Sequence, residues 1–180
     1  MLFRHRRSVP ACLILGALAS STFAPCARAQ DGPLSFDALA CMSWDQLDAL
    51  YRQAEPGSPP AGFVRGRTIY NPHGALPEAR GRIANTFWKG KHFFPECDLL
   101  VNQWLGMRAI RARTSVGESW LDGKPAQVLD YADTSWLWRD VRDEMREVAP
   151  GLYVGAMYLR RCPEPRLKTM FVLEACRGCE

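Results

Sequence analysis

The feature that most constrains this chain is a change of period near residue 62. From "GFVRGRTIY" (residues 62–70) onward, the residues alternate with a period of two, in segment after segment. Such alternation sends successive side chains to opposite faces of an extended backbone and marks half-buried strands. The segments are "GFVRGRTIY", "NTFWKGKHFF", "DLLVNQWLG", "MRAIRARTSV", "SWLDGKPAQVLDY", "WRDVRDEMREV", "LYVGAMYLRR" and "RLKTMFVLEA". Between them stand Gly106, Ala149-Pro150-Gly151 and Cys162-Pro163-Glu164-Pro165, and Asp122-Gly123 is the strongest short hairpin signal. "NPHGALPEARG" reads as turn and loop with one helical turn from Pro77.

Eight strands joined in sequence predict an antiparallel meander rather than βαβ units. They close most economically into an up-and-down barrel, wide enough for its own side chains or one small ligand. A two-sheet sandwich is the alternative. Ahead of the strands a short amphipathic helix is expected: Ser43 and Gln46 have capping-box spacing, Leu47, Leu50 and Tyr51 follow at helical spacing, and Glu55-Pro56-Gly57 ends it.

The first residues have a different purpose. Arg4, Arg6 and Arg7 precede an apolar run from Ala11 to Ala19, and Ala27-Arg28-Ala29 has the small residues a signal peptidase reads. The expectation is a signal peptide over residues 1–29 and a single mature domain over 30–180, exported to the periplasm or beyond. No later stretch is apolar and long enough to be a transmembrane helix. Four of the 23 basic residues leave with the leader, so 19 basic face 19 acidic side chains in the rest. Without a basic excess or a separate basic cluster, nucleic acid is not an expected partner.

The order "WDQLDALYRQAEPGSPPAGFVRGR", "FWKGKHF", "NQWLGMRAIRA", "SWLDGKPAQVLDY" and "VRDEMREVAPGLYVGAMY" resembles an uncharacterised group of bacterial exported proteins with a lipocalin-like barrel. The likeness spans residues 44–160. It implies the architecture and carries no reaction with it. The tail "RCPEPRLKTMFVLEACRGCE" is a less usual ending.

Five cysteines remain beyond the leader: Cys41, Cys97, Cys162, Cys176 and Cys179. In an exported chain disulfides are the default, with Cys41–Cys97 one candidate bridge among several pairings, and the odd fifth cysteine is free, metal-bound or intermolecular. "CRGC" also has the spacing of a redox dithiol or half a zinc site. Nothing helical follows it, and only Cys162 and His92 offer themselves as further ligands, so no metal is assigned. No nucleotide-binding, Gly-x-Ser-x-Gly or HExxH motif occurs, and no cofactor is expected. His73 lies in the turn "NPHG". His92 shares its strand face with Trp88 and Phe94 and is one candidate acid–base group.

The chain's six tryptophans all lie beyond the leader. A barrel lined by Trp88, Trp104, Tyr131 and Tyr158 suits a small apolar or aromatic ligand. In "RDVRDEMREVAPGLYVGAMYLRR" (139–161) a hairpin around Pro150-Gly151 is preferred to a helix over 139–148. On that hairpin neither face of the first strand is apolar, and Arg142, Glu144 and Arg146 are expected to point inward as polar ligand-site groups. Three functions follow. The first is an exported barrel that binds a small apolar ligand. The second is an enzyme using the same cavity, with His92 or Glu144 as acid–base group. The third is an envelope structural or interaction protein.

Overall fold

A computed structural model describes residues 33–72 and 77–175 of the chain. The elements run α1 (Phe36–Ala40), α2 (Trp44–Gln53), β1 (Gly62–Tyr70), α3 (Pro77–Phe87), β2 (Trp88–Phe94), β3 (Leu99–Trp104), β4 (Met107–Glu118), β5 (Pro125–Asp130), β6 (Val141–Ala149), β7 (Leu152–Leu159) and β8 (Arg166–Ala175). Each strand pairs antiparallel with the next, and β8 returns to β1 with Thr68 opposite Phe171. The result is a closed eight-stranded barrel, the favoured of the two architectures expected from the alternation, and not a sandwich. Closure leaves no strand edge unpaired.

The capping box forms as its spacing predicts: Ser43 Oγ accepts from the Gln46 amide, and Gln46 Oε1 accepts from the Ser43 amide. Two helices stand here rather than one, because Ser35 caps a preceding turn, α1. Helix α3 runs three turns from Pro77, so Asn85, Thr86 and Phe87 belong to it and not to the following strand. Asp122-Gly123 does turn a hairpin, but within the six-residue loop 119–124.

Two apolar clusters hold the fold. Inside the barrel, Val64, Phe93, Leu100, Leu129, Met145, Tyr153 and Leu173 pack together. Outside it, Phe36 and Leu39 of α1 and Leu47 and Tyr51 of α2 cover Ala126, Val154, Met170 and Val172. Strands β5 to β8 are therefore buried on both faces. The two ends of the barrel differ. At one, residues 55–61 fold under: Glu55 bridges to Glu147, and Ser58 O accepts from Tyr153 Oη at 3.2 Å. The other end carries α3, the β3–β4 turn and the loops 131–140 and 160–165.

Two expectations about strand faces are corrected. Arg142, Glu144 and Arg146 point outward, beneath α2 and the 119–124 loop, while Val141, Asp143 and Met145 point inward. Both faces of β6 are buried, one by the barrel and one by the helix, so hydropathy alone could not orient it. In β2 a bulge between Trp88 and Gly90 shifts the register. Trp88, Lys91 and Phe93 consequently share the interior, and His92 lies on the outer face with its ring centroid 4.8 Å from that of Phe63.

Cys97 and Cys162 are exposed free thiols. The expected Cys41–Cys97 bridge is therefore not made: Cys41 caps the C-terminal end of α1, whereas Cys97 lies on the β2–β3 connection. The leader, His73, Cys176 and Cys179 fall outside the described residues.

Candidate functional site

The interior is polar at one level. Lys91 and Asp143, both almost wholly buried, form an ion pair with Lys91 Nζ 2.9 Å from Asp143 Oδ2. Lys91 Nζ also donates to Asn102 Oδ1 at 3.0 Å and to Tyr131 Oη at 2.8 Å, which uses all three of its protons. Tyr131 Oη in turn donates to Asp143 Oδ2 at 2.9 Å. Asn102 is saturated as well. Its Oδ1 accepts from Trp88 Nε1 at 3.0 Å, and its Nδ2 donates to Tyr131 Oη and to the Ile110 carbonyl. Burial, and then the charge of Asp143, hold the Tyr131 hydroxyl well above its ordinary pKa, so it stays a neutral donor. One atom is left over. Asp143 Oδ1 is buried and has no partner among the described residues.

Above this floor lies a cavity of about 130 Å³. Its walls are Tyr70, Trp88, Trp104, Trp138, Met157 and Phe171, with Asp143, Asn102 and Tyr131 at its base. The rings interlock, with Trp88 edge-on to Phe171 at 6.2 Å and Trp104 tilted on Trp138 at 6.0 Å. Tyr70 closes β1, Trp88 opens β2 and Trp104 closes β3, so the mouth is at the α3 end. Two glycines make room for the walls. A side chain at Gly66 would strike the Trp88 ring, and one at Gly155 the Phe171 ring. Gly90 serves the bulge: at φ +144° its missing Cβ lies against the Val64 carbonyl.

Of the residues expected at the site, Trp88, Trp104 and Tyr131 line the cavity. Arg142, Glu144, Arg146, Tyr158 and His92 do not. Glu144 is fully buried on the outer face, accepting from Ser119 Oγ at 2.6 Å, Tyr51 Oη at 3.2 Å and the Trp120 amide at 2.9 Å. Its fourth partner is Arg142, at 3.1 Å. Arg146 donates to both oxygens of Asp122, at 2.8 and 2.7 Å, and to the carbonyls of Tyr51, Lys124 and Pro125. Those bonds fasten α2 and the 119–124 loop to the barrel wall. Tyr158 packs edge-on against Trp120 on the same outer side. His92 Nε2 lies 3.1 Å from Gln103 Oε1.

Lys91, Asn102, Asp143 and Phe171 were missed by sequence reasoning. Gly90 in "WKGK" was the available hint, since a glycine within a strand marks bulges. Among the described residues no group of three His, Cys, Asp or Glu side chains could hold a metal ion.

These features define a closed, eight-stranded, up-and-down antiparallel barrel with an aromatic cavity at one end and a buried ion pair as its floor. It is similar in fold to a protein from Thermomonospora curvata known from its crystal structure, at a TM-score of 0.50 and 21% identity, over 76% of this chain and 89% of that one. At that identity the likeness speaks to the fold alone. No protein-family model and no curated protein matches the chain.

Proposed function

We propose that this protein is an exported, lipocalin-like binding protein for one small aromatic ligand that carries a hydrogen-bond donor. The observation that carries the reading is Asp143 Oδ1, an unpartnered buried acceptor at the base of an aromatic cavity. Leaving such a group unsatisfied is costly, and a donor on the ligand removes that cost. Every donor of Lys91 and Asn102 is already engaged, so nothing in the floor is free to receive an anion. An anionic ligand would instead meet a carboxylate oxygen. The volume suits a single ring, since a cavity of ~150 Å³ accepts benzene.

The enzyme alternative is not supported, because both of its acid–base candidates, His92 and Glu144, face away from the cavity. The export half of the reading rests on the leader, and N-terminal sequencing of the secreted protein should begin at Gln30. Retention of the leader in the exported protein would count against it.

The ligand half is tested by titrating phenol, aniline, toluene and benzoate against tryptophan fluorescence. Phenol and aniline should bind about tenfold tighter than toluene, the worth of one hydrogen bond to a charged acceptor. Benzoate should not bind. Equal affinity for phenol and toluene would remove Asp143 from recognition, and failure of all four ligands would remove the binding reading.

A further inference from the structure

The barrel is asymmetric on its outside as well. Eight large hydrophobic side chains are exposed among the described residues, and six of them belong to the cavity end: Ile83, Phe87, Leu105, Met107, Trp136 and Leu137. They come from three separate pieces of chain that the fold brings together. Ile83 and Phe87 stand one turn apart on α3. The Phe87 carbonyl accepts from the Leu105 amide at 2.9 Å, which sets the end of α3 beside the β3–β4 turn. The 131–140 loop is tied to β4 by Thr134 Oγ1, which donates to the Arg111 carbonyl at 2.6 Å, and Trp138 packs on Trp104. Trp136 and Leu137 project from that loop, with Trp136 84% exposed. Turns of a soluble barrel ordinarily carry polar residues, so apolar tips gathered at one end mark an interaction surface.

The charge at this end has one dominant sign. Arg80, Arg82 and Lys89 on and after α3, Arg139 in the 131–140 loop, and Arg166 and Lys168 on β8 have no ion pair among the described residues. Asp130 and Asp140 are already matched to Arg160 and Arg161, which leaves Asp133 and Glu164, with Glu78 in the sequence of α3, as the acids in opposition. Partial burial, and then neighbouring Arg166, Arg80 and Arg161, hold the Lys168 amine below its ordinary pKa.

We propose that this end of the barrel docks on an anionic phospholipid bilayer, with Trp136, Leu137, Leu105 and Met107 entering the interface and the flanking cations meeting the headgroups. Apolar tips within a basic collar are what an interfacial protein needs: buried apolar area and attraction to anionic lipid act together. A second copy of the chain fits this surface poorly, because an isologous contact would press one basic collar against another. The cavity mouth lies within the docked face, so the aromatic ligand of the proposed function, on which this step rests, passes between bilayer and barrel without crossing bulk water.

The test is co-sedimentation of the full mature chain with vesicles of phosphatidylglycerol and phosphatidylcholine, against vesicles of phosphatidylcholine alone. Wild type should bind the anionic vesicles, and binding should weaken at about 0.5 M salt, where screening shortens to a few ångströms. Trp136→Ser with Leu137→Ser should weaken binding on the order of tenfold or more, through lost apolar burial. Arg82→Glu with Lys89→Glu should act similarly. Val116→Ser removes an exposed apolar residue at the opposite end and should bind as wild type does; circular dichroism would establish that each variant is folded. Absence of binding to anionic vesicles, or undiminished binding by the Trp136/Leu137 variant, would overturn the proposal. So would a solution dimer that the same variant dissolves.

Discussion

Glycine positions show how closely the cavity is built, because at Gly66, Gly90 and Gly155 the missing side chain is a structural requirement. Gly66 leaves space for the Trp88 ring, which is held from behind by Phe171 and by its bond to Asn102. A methyl group there has nowhere to go, so Gly66→Ala should cost about 1–3 kcal/mol, the usual range for overpacking. It should also weaken ligand binding by displacing Trp88. Gly90→Ala should cost more, since the added Cβ meets backbone rather than a movable ring, and φ +144° is unfavourable for any L side chain. Gly81 is the contrast. It lies within α3, where an added Cβ comes no closer than 3.8 Å to Tyr70, so Gly81→Ala should be neutral or stabilise by up to about 1 kcal/mol through helix propensity. Urea unfolding of the three variants checks this order, and a Gly66→Ala protein as stable as Gly81→Ala would refute the packing account.

Among the elements, β2 and β6 are where reading from sequence reached its limit, for different physical reasons. The extended character of β2 followed from its alternation, whereas in β6 a helix over 139–148 competed with the hairpin that Pro150-Gly151 favours. The inward set of β2 was hidden because one bulge exchanges the faces over a single residue, and alternation carries no memory across it. In β6 the two faces look equally polar because each serves a different buried network. Asp143 anchors Lys91 inside, while Glu144 and Arg146 anchor α2 and the 119–124 loop outside. Neither partnership has a local signature, since Lys91 and Asp143 are 52 residues apart. The outer anchor makes a pH prediction. The Arg146 guanidinium, opposed by burial and helped by the Lys124 amide, holds the Asp122 carboxyl below its ordinary range. An acid with a lowered folded pKa stabilises fully above its unfolded value of about 3.9 and loses that contribution as pH falls through the folded value. Asp122→Asn should therefore cost about 3 kcal/mol at neutral pH, because Arg146 stays buried without its charge partner. Below about pH 4 the gap from wild type should narrow. Denaturant midpoints measured from pH 7 to pH 2 will show it, and a gap independent of pH would mean that Asp122 acts by shape alone.

At the scale of the whole molecule, the barrel divides across its axis. One half is filled by Phe93, Leu100, Leu129, Met145 and Leu173 and closed underneath by residues 55–61; the other holds the cavity beneath α3 and the 131–140 loop. Helices α1 and α2 brace the outer face of β5 to β8, while the parts that surround the cavity mouth are turns and one short helix carried on their own ends. Sequential antiparallel pairing made the barrel legible, since each strand's partner is its neighbour in the chain. The division was not legible, because it depends on which large rings meet across the interior. A ligand seated on Asp143 touches only the cavity half, so its stabilisation should be local in structure although global in free energy. Saturation at a hundredfold excess over Kd should add about 2.7 kcal/mol to global stability. Hydrogen exchange under native conditions separates the two effects, because local opening at the mouth needs less free energy than global unfolding. With phenol bound, amides of α3, residues 104–107 and the 131–140 loop should slow, while the amides of residues 55–61 should keep their rates in the regime of local opening. Uniform slowing over the whole barrel would mean that the two halves open as one unit, and the mouth would then not be an independently mobile entrance.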